Sequence, residues 1–114
     1  EKTQGKIELV NAKLIFDAVK QNDPLSAEIV LEAATHLGRK IAFVVNLFNP
    51  EVVIIGGGVE QAGAVFMNKI SEMTAKHCRP DVISNIKIFP SHLGEAGVAL
   101  GAAAIGVEQI FLSA

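Results

Sequence analysis

Val52-Val53-Ile54-Ile55-Gly56-Gly57-Gly58 is the stretch that decides the fold. Four β-branched apolar residues in a row do not alternate, so they do not describe a strand with one wet face. They describe an inner strand buried on both faces, as in a parallel sheet covered by helices. Ligands in open α/β sheets bind beyond the carboxyl ends of the strands. Three glycines at that end remove every side chain that would hold a ligand away, and they permit positive φ. Backbone at Gly56, Gly57 and Gly58 can then lie flat against a base or a ribose. A strand-to-helix turn alone requires only one glycine. Two phosphate motifs are excluded: Gln61 stands where a dinucleotide fingerprint begun at Gly56 needs glycine, and Ala64 stands where a P-loop running from Gly58 to Gly63 needs lysine.

Upstream of the strand, Asn49-Pro50 closes a long helix, because the residue before proline is steered away from the helical region. Leu25, Ile29, Val30, Ala33, Leu37, Ile41, Val44, Val45 and Phe48 recur at three- and four-residue steps and are expected to face inward. Asp23 is placed to cap this helix and Pro24 suits its first turn. About 24 helical residues rise roughly 36 Å, enough to cross a whole domain. A shorter helix, capped by Asn11, is predicted to run to Lys20 with Leu14, Ile15, Ala18 and Val19 on one face. The first ten residues read as a loop.

Downstream, a third helix is predicted from about Ala62 to His77, with Val65, Phe66, Ile70 and Met73 inward, followed by a turn at Arg79-Pro80-Asp81. Ile86 to Phe89 reads as a second strand closed by Pro90. A loop then leads to a last helix from about Ala96 to Leu112. The order α-α-β-α-β-α indicates an α/β fold with a parallel sheet. Two strands do not make a stable sheet, so the sheet is incomplete. Its missing strands are expected from an upstream part of a longer chain or from another copy.

Half of the 114 residues are hydrophobic and the formal net charge is −2. That composition suits one small soluble domain, and without a cluster of Lys and Arg it gives no direct nucleic-acid contact. The most apolar stretch, Ala96 to Val107, is shorter than the roughly 20 residues a membrane helix needs. The single cysteine, Cys78, cannot form an internal disulfide, which points to a reducing, cytoplasmic setting. His36, His77 and His92 lie far apart and Cys78 merely adjoins His77, so no metal-ligand spacing is present. No Ser-His-Asp arrangement or carboxylate pair can be read, and no catalytic residue is assigned.

A second motif is Leu93-Gly94-Glu95-Ala96-Gly97, running into Val98-Ala99-Leu100-Gly101-Ala102-Ala103-Ala104. Gly97 and Gly101 share a helix face. Each costs about 1 kcal/mol against alanine in a helix interior, so the pair asks for a reason. Close approach of a neighbouring element is one; a hinge helix whose first turn lies near a nucleotide is another. Glu95 suits the positive end of that helix.

Taken in order, these segments resemble the ROK family of repressors and sugar kinases. The resemblance rests on Asn22-Asp23-Pro24 opening the long helix, Leu37-Gly38, Asn46-Leu47-Phe48-Asn49-Pro50-Glu51, Val52 to Val59 with its three glycines, Ala62-Gly63, and Leu93-Gly94-Glu95 through Gly101-Ala102-Ala103. It covers about Asn11 to the C-terminus. It implies an actin-like ATPase (ribonuclease H-like) fold of two lobes, of which this chain would be the C-terminal fragment of the second. By that pattern Gly56, Gly57, Gly58 and Val59 look like the adenosine motif, and Gly94, Glu95, Gly97 and Gly101 look like a hinge segment beside the nucleotide. ATP or ADP would be the cofactor of the longer parent, and a sugar its ligand. The first phosphate loop, the catalytic Asp, the sugar-holding residues and the family's zinc motif would all lie upstream; Cys78 does not match that motif.

Two functions follow from the resemblance. One is the effector and oligomerisation part of a sugar-responsive transcriptional repressor. Pro90-Ser91-His92-Leu93-Gly94-Glu95, Val98 to Gly101 and the ending Gln109-Ile110-Phe111 look more like repressor members. The other is the C-terminal part of a glucokinase-like, ATP-dependent kinase, which the intact triple glycine favours. In either case the segment alone is expected to be inactive, because phosphoryl transfer needs both sides of a cleft. It is also expected to self-associate through its sheet edge or its Ala/Gly-rich helix.

Overall fold

The structure is a computed structural model and describes residues 11–112; the loop expected before them lies outside the described residues. Helix α1 (Ala12–Lys20) starts where Asn11 accepts the Leu14 N–H through its side chain at 2.9 Å. Its Ile15, Phe16 and Val19 pack against the core. Helix α2 (Pro24–Phe48) opens in the same way, Asp23 accepting the Ser26 N–H at 2.8 Å with Pro24 in the first turn. It closes on Asn49 in the left-handed region, whose N–H reaches Val45 O at 2.8 Å.

The face that α2 buries matches the expected one only in part: Val30, Ile41 and Val45 are buried and Leu37 packs against the core as expected, but the buried stripe is rotated toward small residues. Val30, Ala34, Gly38, Ile41, Ala42 and Val45 are buried, whereas Leu25, Ile29, Val44 and Phe48 are exposed. The reason is the partner. Helix α3 (Ala64–His77) lies along a stripe of small residues, Ala34, Gly38 and Ala42, and presses Phe66, Ile70 and Met73 against α2. A Cβ built on Gly38 would sit 2.7 Å from Met73 Cβ and 2.8 Å from Ile70 O. Buried Thr74 donates its hydroxyl to Gly38 O at 3.2 Å across the same contact. Large apolar residues dominate a periodicity count; small ones decide how closely two helices approach. Val65, expected inward, is exposed.

Strand β1 (Val52–Ile55) pairs in parallel with β2 (Lys87–Pro90), in the register Val52–Lys87, Val53–Ile88, Ile54–Phe89 and Ile55–Pro90. Paired residues in this register share a face. The face of Val53, Ile55 and Ile88 packs on the helical core. The face of Val52, Ile54 and Phe89 is open, with Ile54 68% and Phe89 48% exposed. Burial on both faces of β1 is therefore not met among the described residues. The two strands form the whole described sheet.

The predicted order holds in outline but omits short elements. A 3-10 turn, Val59–Ala62, precedes α3, and Gly63 at φ +88° separates the two, which moves the helix start from Ala62 to Ala64. A single helical turn, α4 (Pro80–Ile83), stands where a plain turn was expected and buries Val82. A second 3-10 turn, Gly94–Ala96, leads into α5 (Gly97–Leu112). Every residue of α5 from Val98 to Phe111 is exposed.

Candidate functional site

The strand ends bring the site together. Ile55 O accepts the Ser91 N–H at 2.7 Å, so the sheet ladder continues one step past both strands and sets Ser91 against Gly56. A Cβ on Gly56 would lie 3.2 Å from Ser91 Cβ, tighter than ordinary contact, so glycine lets the two exits close. Gly57 and Gly58 then turn through φ +84° and +92°, a region that L side chains rarely adopt. A Cβ at either would meet nothing within 4 Å. The space over this turn is open, as a surface that receives a flat ligand requires.

Facing it, Ser91 Oγ accepts the Leu93 N–H at 3.2 Å and bends the chain into the Gly94–Ala96 turn, where Gly94 takes φ +56°. Gly97 follows, with the Leu93 side chain folded against its Cα side. Between the two walls lies a cleft of about 430 Å³ lined by Gly56, Gly57, Ser91, Leu93, Gly94, Gly97 and Val98. That volume is in the range of small-molecule sites. Its walls are backbone and aliphatic side chain, with one hydroxyl. Among the described lining residues the side chains are apolar apart from the neutral hydroxyl of Ser91, so they are suited to holding and orienting a ligand.

Of the residues expected at the site, Gly56, Gly57, Gly94 and Gly97 line this cleft. Gly58 and Val59 do not; Val59 turns back to pack on the core. Gly101 lies a turn further along α5, where an added Cβ would meet nothing within 4 Å. The side chain of Glu95 lies outside the described part of the structure. Ser91, Leu93 and Val98 stand within the quoted motifs but were not among the residues expected to line the site. The signal for Ser91 was the strand register: with Pro90 opposite Ile55, the next residue falls opposite Gly56.

His77, His36 and Cys78 are not among the residues that line the cleft. His77 Nδ1 contacts Met73 O at 2.8 Å, and His36 is 3.9 Å from the Glu32 carboxylate. Cys78 lies by Ala42 O, and burial pushes its thiol pKa up, away from reactivity. Among the described residues no three His, Cys, Asp or Glu converge, and no helix is long and apolar enough to cross a membrane.

The sequence profile of the ROK family matches residues 1–109. The chain is 35% identical over 109 residues to the glucokinase of Thermotoga maritima, covering 96% of this chain and 34% of that protein. It is 30% identical over 104 residues to the xylose repressor of Caldicellulosiruptor bescii, covering 91% of this chain and 26% of that one. A crystal structure of a ROK family transcriptional regulator, a homologue of the E. coli Mlc protein, superposes with a TM-score of 0.68 at 30% identity, over 74% of this chain and 21% of its own. The chain thus spans about a third or less of the length of these proteins, and they include both kinases and repressors of sugar metabolism. With a helix-rich α/β fold built on a parallel strand pair, and with the family's profile running along nearly its whole length, this chain belongs to the ROK family.

Proposed function

We propose that this chain is the C-terminal part of an actin-like lobe in a sugar-responsive transcriptional repressor, where it supplies the nucleotide-side wall of the ligand cleft. The observation that carries the cleft assignment is the pairing of the Gly56–Gly57 strand exit with the Gly94–Gly97 turn across an open space whose described lining residues carry no charge. A purine presents a flat face that bare backbone can meet, and none of the described lining residues is charged. The stretch from Pro90 to Gly101 and the ending Gln109-Ile110-Phe111 favour the repressor. The rest of a longer chain would bring the sugar site and the DNA-binding domain. Homo-oligomerisation in the cytoplasm fits that role.

A second reading is the corresponding part of an ATP-dependent sugar kinase. It is favoured by the two positive-φ glycines, Gly57 and Gly58, kept intact at the strand exit, and by the 35% identity to a glucokinase. ATP would then be the phosphoryl donor, and the catalytic base would come from outside this segment.

Assays on the full-length protein separate the two. A repressor releases its operator DNA when sugar is added and transfers no phosphoryl group from ATP to a hexose. A kinase turns over ATP with a hexose and has no operator. The isolated segment is expected to phosphorylate nothing; robust turnover by it would overturn the placement of the catalytic residues elsewhere.

A further inference from the structure

Ser91 has a property that no other described residue of the cleft shares. Of the seven lining residues it alone carries a polar side-chain atom, the others being glycine, leucine and valine. Its oxygen is already engaged as an acceptor, from the Leu93 N–H at 3.2 Å. Its backbone N–H is engaged with Ile55 O at 2.7 Å. Both bonds hold the residue in place, and Gly56 lets it sit close against the strand exit. What remains is the hydroxyl proton, for which the hydrogen bonds of the described residues provide no acceptor. A hydroxyl with one acceptance made and its donor still free can rotate that donor toward a ligand.

We propose that Ser91 is the specificity-determining residue of this cleft, donating its hydroxyl proton to an acceptor atom on the base or ribose of a bound adenine nucleotide. The inference rests on the nucleotide reading of the cleft and deepens it. Glycine and aliphatic walls accept any flat face of suitable size, so they discriminate by shape alone. A single fixed donor adds a directional requirement, and a ligand lacking the matching acceptor leaves that donor desolvated and unpaired.

The test is a ligand-by-residue cycle on the full-length protein, by titration calorimetry. The probes are ADP and analogues that each lack one acceptor: 1-deaza, 3-deaza and 7-deaza-ADP, 2′-deoxy-ADP and 3′-deoxy-ADP. One analogue is expected to bind the unaltered protein about three- to tenfold more weakly than ADP. Ser91→Ala should weaken ADP by a similar factor and abolish the difference between ADP and that analogue. A role confined to shaping the loop through Leu93 would lower affinity for all probes alike and leave their ratios unchanged; that result overturns the proposal. Equal binding of every analogue by the unaltered protein overturns it too, and needs no variant to fold. Absence of ADP binding by the unaltered protein removes the nucleotide reading itself, which distinguishes that failure from a failure of the Ser91 assignment.

Discussion

Gly38 shows how one missing methyl group sets a helix pair. It faces Ile70 and Met73 at a distance where a Cβ would overlap Met73 Cβ and the backbone oxygen of Ile70. Two effects of Gly38→Ala oppose each other. Alanine gains about 1 kcal/mol of helix propensity. Overpacking a closed interface costs about 1–3 kcal/mol, and here one of the clashing atoms is backbone, which cannot rotate away. The clash should win. Gly38→Ala is expected to lower the stability of the protein by up to about 2 kcal/mol in urea unfolding, and a raised midpoint would show that α3 can slide. The glycines of the cleft are used differently. Gly57 and Gly58 have room for a side chain but not the φ for one, whereas Gly56 has ordinary φ and lacks the room. Asp23 and Asp81 act through charge. Donation from Ser26, by its hydroxyl and then its N–H, holds the Asp23 carboxyl below the usual carboxylate range. The Arg79 guanidinium does the same for Asp81, chiefly by hydrogen bonding. A carboxyl whose folded pKa is lowered adds stability above its unfolded value, near 3.8, and loses it as pH falls through the folded value. Thermal melts are therefore expected to decline below about pH 4, and Asp23→Asn should flatten part of that decline while leaving a neutral cap.

Among the elements, the junction between α3 and α4 depends on a residue from α2. The Asn46 side chain donates to His77 O at 3.0 Å and accepts the Arg79 N–H at 3.0 Å, so one amide satisfies the last turn of α3 and the first residue beyond Cys78. It sits on the Asn46-to-Glu51 segment, within the motif that carries the family resemblance. Asn46→Ala removes both bonds and is expected to cost about 1–3 kcal/mol. Asn46→Asp keeps the acceptor but turns a carboxylate toward a carbonyl oxygen, so it should recover little of that loss. Recovery to the original stability would mean that the His77 contact contributes nothing. The same logic explains which boundaries were readable. Caps at Asn11 and Asp23 follow from short-range chemistry and stand where the sequence puts them. The start of α3 does not, because the positive φ of Gly63 separates it from a 3-10 turn that periodicity merges with it.

At the scale of the whole molecule the chain is elongated. Its radius of gyration is 17.5 Å, with extents of 56 × 40 × 19 Å; a compact chain of this length would have about 13 Å. The excess comes from surfaces left uncovered: the open sheet face of Val52, Ile54 and Phe89, and α5 from Val98 to Phe111, with Val98, Ile105, Ile110 and Phe111 exposed. Such surfaces associate in water. The isolated segment is expected to self-associate in sedimentation velocity, and Ile54→Lys with Phe89→Glu should shift it toward monomer. A strictly monomeric segment at high concentration would contradict this. Strand identity, helix caps and the glycine exit were legible in the sequence because each rests on local chemistry: β-branching, a side-chain oxygen beside free N–H groups, a missing Cβ. The buried face of α2, the close contact at Gly38 and the arrival of Ser91 against Gly56 were decided only in three dimensions. Each depends on a partner more than thirty residues away, and packing distance and strand register are properties of the pair that neither segment carries alone.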